Sequence, residues 1–168
     1  MKKIKIGNNW VGDTFPCYIV AEIGTGYQNY DEAKNLIDSA IEAGINAIKF
    51  QTFEADTITT KNNYIDMEET GKISQYDLFK KLEIPKETQK KIVRYALDKG
   101  ITIFSAPSHL NDLKFLKTLD LSVYKIGSDL ACHIPLLKEV AKLQKPIILS
   151  TGMCSLDEIR ESIKSIQS

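Results

Sequence analysis

Five times along the chain a short run rich in Val, Ile, Tyr and Phe is followed by a segment of helical spacing, and this alternation constrains the fold more than any other feature. The runs are residues 18–23, 46–51, 101–105, 123–126 and 146–150. Each has the length and apolar character of a strand buried on both faces, as in a parallel sheet. Residues 31–43 place Ala33, Leu36, Ile37, Ala40 and Ile41 on one helical stripe that stops at Gly44, and residues 86–99 repeat the pattern before Gly100. Further helices are expected over 111–118, 135–142 and 155–166, the last opening on a capping-box pattern from Ser155 to Glu158. Strand then helix, repeated, is the grammar of a parallel α/β fold. Neither a G-x-G-x-x-G nor a Walker-type loop follows the first strand, which favours a barrel over an open nucleotide-binding sheet.

Two departures from the rhythm stand out. Residues 3–6 and 9–11 flank Gly7-Asn8 and read as an N-terminal hairpin. Residues 53–85 form a long polar connection, partly helical over 75–81, of the kind that serves as a lid or stays unstructured.

Charge narrows the partners. The 168 residues carry 22 basic and 22 acidic side chains, so no excess charge draws the chain to nucleic acid or an anionic membrane, and any anion site must be local. No apolar run approaches the ~18–20 residues of a membrane span, and the first residues lack a signal-peptide core. A cytoplasmic single domain is expected. Cys17, Cys132 and Cys154 lack metal-ligand or C-x-x-C spacing and read as reduced packing residues. His109 and His133 read as surface or turn residues, because metal sites come as clusters.

The runs carry polar residues where a buried strand should be apolar. Side chains alternate, so Lys49 and Gln51 share one face of their strand while Ile48 and Phe50 share the other. In a barrel the first face points inward. By the same parity Glu22 and Lys125 are inward on the first and fourth strands. Burying unpaired charge costs several kcal/mol, so two amines and a carboxylate at one rim need partners or a ligand. Hydroxyls and tight turns follow the strands: Ser105-Ala106-Pro107, Gly127-Ser128 and Ser150-Thr151-Gly152. Together they suggest a pocket for a phosphate or carboxylate. Asp129 follows Ser128 directly, and these patterns leave its role open.

The motifs Ala21-Glu-Ile-Gly24, Ala47-Ile-Lys-Phe-Gln-Thr52, Tyr124-Lys-Ile-Gly-Ser128, Pro135-Leu136 and Pro146-Ile-Ile-Leu-Ser-Thr-Gly-Met153 occur in the order and at the spacing of the sialic acid synthase (N-acetylneuraminate synthase) family. The chain resembles that family over essentially its whole length. The resemblance implies a (β/α)8 TIM-type barrel followed by an antifreeze-like domain. It also implies condensation of phosphoenolpyruvate with an N-acylated amino sugar of the N-acetylmannosamine type, within sialic or nonulosonic acid biosynthesis. By position it makes Lys49 and Lys125 cationic contacts to phosphoenolpyruvate, with Gln51, Ser128 and Ser150 as hydrogen-bond partners and Glu22 as the carboxylate that meets the sugar.

Departures from the family pattern accompany the match. Leu130 stands where an acid/base carboxylate is usual, with Asp129 beside it. Ala106 replaces a threonine, and residues 25–29 lack the usual Asn-His pair. About five of the eight βα units needed to close a barrel are legible within residues 1–168. The divalent ion expected for the family, Mn or Mg, would take its histidine ligands from later strands, absent here along with the antifreeze-like domain. The expected protein is therefore an N-terminal portion of a barrel enzyme, associating as a homo-oligomer or with a complementing C-terminal half. The alternatives are a non-catalytic anion-binding or assembly module, and another phosphoenolpyruvate aldol-type synthase.

Overall fold

The computed structural model describes residues 3–68 and 71–168. β1 (Lys3–Ile6) and β2 (Asn9–Gly12) form an antiparallel hairpin, followed by β3 (Val20–Gly24), α1 (Tyr30–Glu42) and β4 (Ala47–Thr52). The long connection is folded: α2 (Ala55–Ile58), the antiparallel pair β5 (Tyr64–Met67) and β6 (Gly71–Ser74), then α3 (Gln75–Leu82). After α4 (Lys86–Asp98) come β7 (Thr102–Pro107), α5 (Leu110–Lys117), β8 (Tyr124–Ile126), a 3₁₀ turn at Ser128–Leu130, α6 (Ile134–Ala141), β9 (Ile147–Leu149) and α7 (Leu156–Gln167). No helix among the described residues is long and apolar enough to cross a membrane.

All five expected strands form, and their pairing is parallel. β4 lies between β3 and β7, β8 pairs with β9, and β8 lies against β7 without a shared ladder among the described residues. Alternation sorts the side chains into two layers. Ile48, Phe50, Ile103, Tyr124 and Ile126 pack with Ile37, Ile92, Leu116 and Leu137 of the helices. Ala47, Phe104 and Val123 point the other way and meet Ile6 of the hairpin.

The outer strands depart from the expectation of burial on both faces. Val20 and Glu22 of β3 are exposed, and Ile147–Leu149 of β9 are only partly buried. Each has a strand neighbour on one side only among the described residues.

Gly7 brings the hairpin turn against the start of β7. Its φ is +55°, and a Cβ there would stand 2.0 Å from Thr102 Oγ1. Gly7→Ala combines a left-handed backbone with overpacking and is expected to destabilise the fold by about 2 kcal/mol. Thermal unfolding checks this; an unchanged midpoint would mean that the turn does not seat on Thr102.

Candidate active site

The face opposite the helices gathers the polar side chains. Lys49 projects there because its neighbours Ile48 and Phe50 fill the helix layer. Its side chain is 11% exposed and its Nζ lies 2.5 Å from a carboxylate oxygen of Glu22, itself 53% exposed. Glu22 and Lys49 are register partners across β3 and β4, and a bulge follows immediately, between Glu22 and Gly24. A side chain at Gly24 would come within 3.0 Å of the Glu22 carboxylate, so glycine keeps that carboxylate free to reach the amine. With one partner half in water, the pair stabilises the fold only modestly; its larger effect is to neutralise an amine taken out of solvent.

Lys125 reaches the same face from β8, between Tyr124 and Ile126 of the helix layer. Its Nζ donates to the Ile126 carbonyl at 2.7 Å and to Ser150 Oγ at 2.5 Å. Burial lowers its pKa, and the positive charge of Lys49 lowers it further, against weaker opposing pulls from Asp129 and Glu22. The two amines thus feel one another, yet Lys49 leans toward β3 and Lys125 toward β9. Between them β7 sets Phe104 beside Lys49 and Ala106 beside Gln51. Gln51 is exposed at the rim and Ser128 opens the 3₁₀ turn beyond β8. Two amines on one face, with carboxylates and neutral hydrogen-bonding groups nearby, can meet a ligand that carries more than one negative charge.

Asp129 comes to this face, where its carboxylate acts on the Lys125 amine. The chain leaves strand geometry at Gly127, so parity no longer applies. The 3₁₀ turn folds the Asp129 carboxylate back over Gly127, where an added Cβ would stand 2.3 Å from Oδ1. Leu130 packs against the helix-layer core instead. Ser105 does not join this face. It pairs with Phe50 and is therefore on the helix face, where its hydroxyl lies 2.7 Å from Thr52 Oγ1, which in turn donates to Gln89 Oε1 at 2.7 Å.

The cysteines are not simple packing residues: Cys17 and Cys132 are exposed, and Cys154 is half-buried. The histidines have a defined task that their positions just before two helices could have signalled. His109 Nδ1 accepts from the Asn111 amide at the start of α5, and His133 Nδ1 from the Leu136 amide at the start of α6. Among the described residues no three His, Cys, Asp or Glu side chains converge to hold a metal ion. They do not fit the divalent ion the resemblance implies.

Comparison with known proteins follows the same lines. A sequence model described as the NeuB family matches residues 36–168. The chain is 33% identical over 93% of its length to an N,N'-diacetyllegionaminic acid synthase of Legionella pneumophila, of which it covers 45%. It is 32% identical over 90% of its length to the N-acetylneuraminate-9-phosphate synthase of Homo sapiens, of which it covers 44%. The chain therefore spans about half the length of the curated relatives it matches. The crystal structure of the N-acetylneuraminic acid synthetase of Leptospira borgpetersenii superposes with a TM-score of 0.86 at 29% identity, covering 99% of this chain and 55% of that one.

Proposed function

The chain belongs to the NeuB family, and from that premise we propose that it carries the phosphoenolpyruvate pocket of a nonulosonic acid synthase. The single observation that carries the reading is the pair of amines, Lys49 and Lys125, set on one face of the strands β4 and β8 and close enough to repel. A βα barrel places its active site at the C-terminal ends of its strands, toward which Gln51 and Ser128 follow the two amines. In this reading the described elements are the N-terminal part of a (β/α)8 barrel, about five units. The bare edges of β3 and β9 are met by further βα units from a complementing C-terminal half or another copy. Ile19 and Val20, 53% and 36% exposed, lie at the first of these edges. The enzyme would work in the cytoplasm.

Each residue then has a role. Lys125, hydrogen-bonded to Ser150 and followed by Ser128 in the turn beyond β8, binds one anionic end of phosphoenolpyruvate, while Lys49 and Gln51 bind the other. A doubly charged ligand relieves the repulsion between the amines and restores the tendency of Lys125 to hold its proton. Glu22 is half exposed and accepts hydrogen bonds from hydroxyls of the N-acylated amino sugar. Asp129 is the carboxylate available for proton transfer in place of Leu130. With both reactants held, the enol carbon bonds to the aldehyde carbon, water supplies the oxygen of the new keto acid, and phosphate departs against the lysines. The contribution of these residues is orientation and stabilisation of the charge on the leaving phosphate.

The direct test is phosphate release from phosphoenolpyruvate and N-acetylmannosamine with manganese present, together with calorimetric titration of phosphoenolpyruvate alone. Turnover supports the enzyme reading. Binding without turnover favours an anion-binding module. Absence of both overturns the assignment of the pocket.

A further inference from the structure

Cys132 and Cys154 belong to different loops, 22 residues apart in sequence, yet their sulfurs lie 3.8 Å from each other. Cys132 follows the 3₁₀ turn after β8, and Cys154 sits between β9 and α7. Cys154 Sγ also approaches the Ser128 carbonyl at 3.6 Å. Cys132 is exposed, so a small reagent can reach the pair from solvent. Nothing else in the pocket uses these thiols. The third cysteine, Cys17, is exposed in the segment between β2 and β3.

We propose that Cys132 and Cys154 are a site of reversible oxidation, forming an intramolecular disulfide that clamps the loop carrying Ser128 to the loop that follows Ser150. The oxidant is a low-molecular-weight disulfide. One cysteine thiolate attacks it, forming a mixed disulfide and releasing one small thiol. The second cysteine, deprotonated, then attacks the protein sulfur of that mixed disulfide and releases the other small thiol. Two protein thiols are oxidised and one external disulfide is reduced to two thiols, with two protons and two electrons accounted for. A disulfide requires sulfurs about 2.05 Å apart, so the loops must close by somewhat under 2 Å. That movement withdraws Cys154 from the Ser128 carbonyl and shifts the backbone beside Lys125.

The test uses the whole chain with Cys17→Ser, titrated with mixtures of oxidised and reduced glutathione, trapped by alkylation and mapped by mass spectrometry. The expected product is two hydrogens lighter, carries a peptide linking Cys132 to Cys154, and reverts on adding dithiothreitol. It should exceed the glutathione adducts by about tenfold, because the second thiol attacks at intramolecular concentration. Glutathione adducts on the separate cysteines, links between copies, or thiols that stay reduced across the titration would each overturn the proposal. The effect on the pocket rests on the function proposed above: phosphoenolpyruvate should bind the oxidised form at least about fivefold more weakly than the reduced form. Equal affinities would overturn that coupling. A reduced form that binds no phosphoenolpyruvate would instead overturn the proposed function, leaving the disulfide to be judged on the mapping alone.

Discussion

Lys49→Met is expected to weaken phosphoenolpyruvate binding by about 100-fold, a larger loss than for any of the three neutral partners in the pocket. Two effects combine. The ligand loses one charge-assisted contact, and Glu22 loses the amine that neutralises it. Glu22 and Asp129 then face an incoming dianion with only Lys125 to oppose them. Methionine keeps the length of the buried stem, so folding should survive. The second effect can be separated from the first: adding Glu22→Gln to Lys49→Met removes the stranded carboxylate and should recover roughly tenfold of the lost affinity. Lys125→Met should cost less, about 10- to 30-fold, because its removal strands only the neutral oxygens of Ile126 and Ser150. Calorimetry at fixed ionic strength reads all three. Should Lys49→Met bind within about threefold of the unmodified chain, the amines do not hold the ligand.

The second large effect concerns stability. Asp112 in α5 is fully buried, and its Oδ1 has no hydrogen-bond partner. Burial pushes its pKa from 3.8 up to about 6, helped by the Glu54 carboxylate and opposed by the amides of Ser108 and His109 and by Lys86. The folded state therefore holds this proton more tightly than the unfolded chain does. The resulting stabilisation is complete below pH ~4 and is lost as pH rises through ~6. The difference amounts to about 3 kcal/mol between the two limits. Asp112→Asn keeps an acceptor for the Ser108 amide, which donates to Asp112 Oδ2 at 3.2 Å, and cannot ionise. Denaturant unfolding at pH 5 and pH 8 should show the unmodified protein weakening with pH while the variant holds its stability. Parallel curves for the two proteins would show that Asp112 titrates normally.

The strands and helices were legible because their signals are local. Apolar run length marks β4, β7 and β8, and Gly44 and Gly100 end α1 and α4 where a left-handed residue is needed, at φ +73° and +79°. Parity also places Lys49 and Lys125 on the face where they lie. It says nothing once the backbone stops being a strand: the 3₁₀ turn folds the Asp129 carboxylate over Gly127, and only the turn's geometry could reveal that contact. Ser105 fails for a different reason, since its face depends on which residue of β4 it pairs with, and register is not a property of one strand. The Cys132–Cys154 contact joins two loops across a strand pair, so no spacing rule could announce it. The internal hairpin of β5 and β6 was hidden by its polarity: only Ile65, Ile73 and Ser74 of its strands are even partly buried.

The hydroxyls of Thr52 and Ser105, with the amide of Gln89, brace β4 and β7 from behind, one backbone thickness away from the amines. Scaffold and chemistry are consequently written in alternate letters of the same six residues. Positions 49 and 51 can be exchanged for new specificities while 48, 50 and 52 keep the strand in place. A library that varies one set and spares the other would sample new pockets on an unaltered frame.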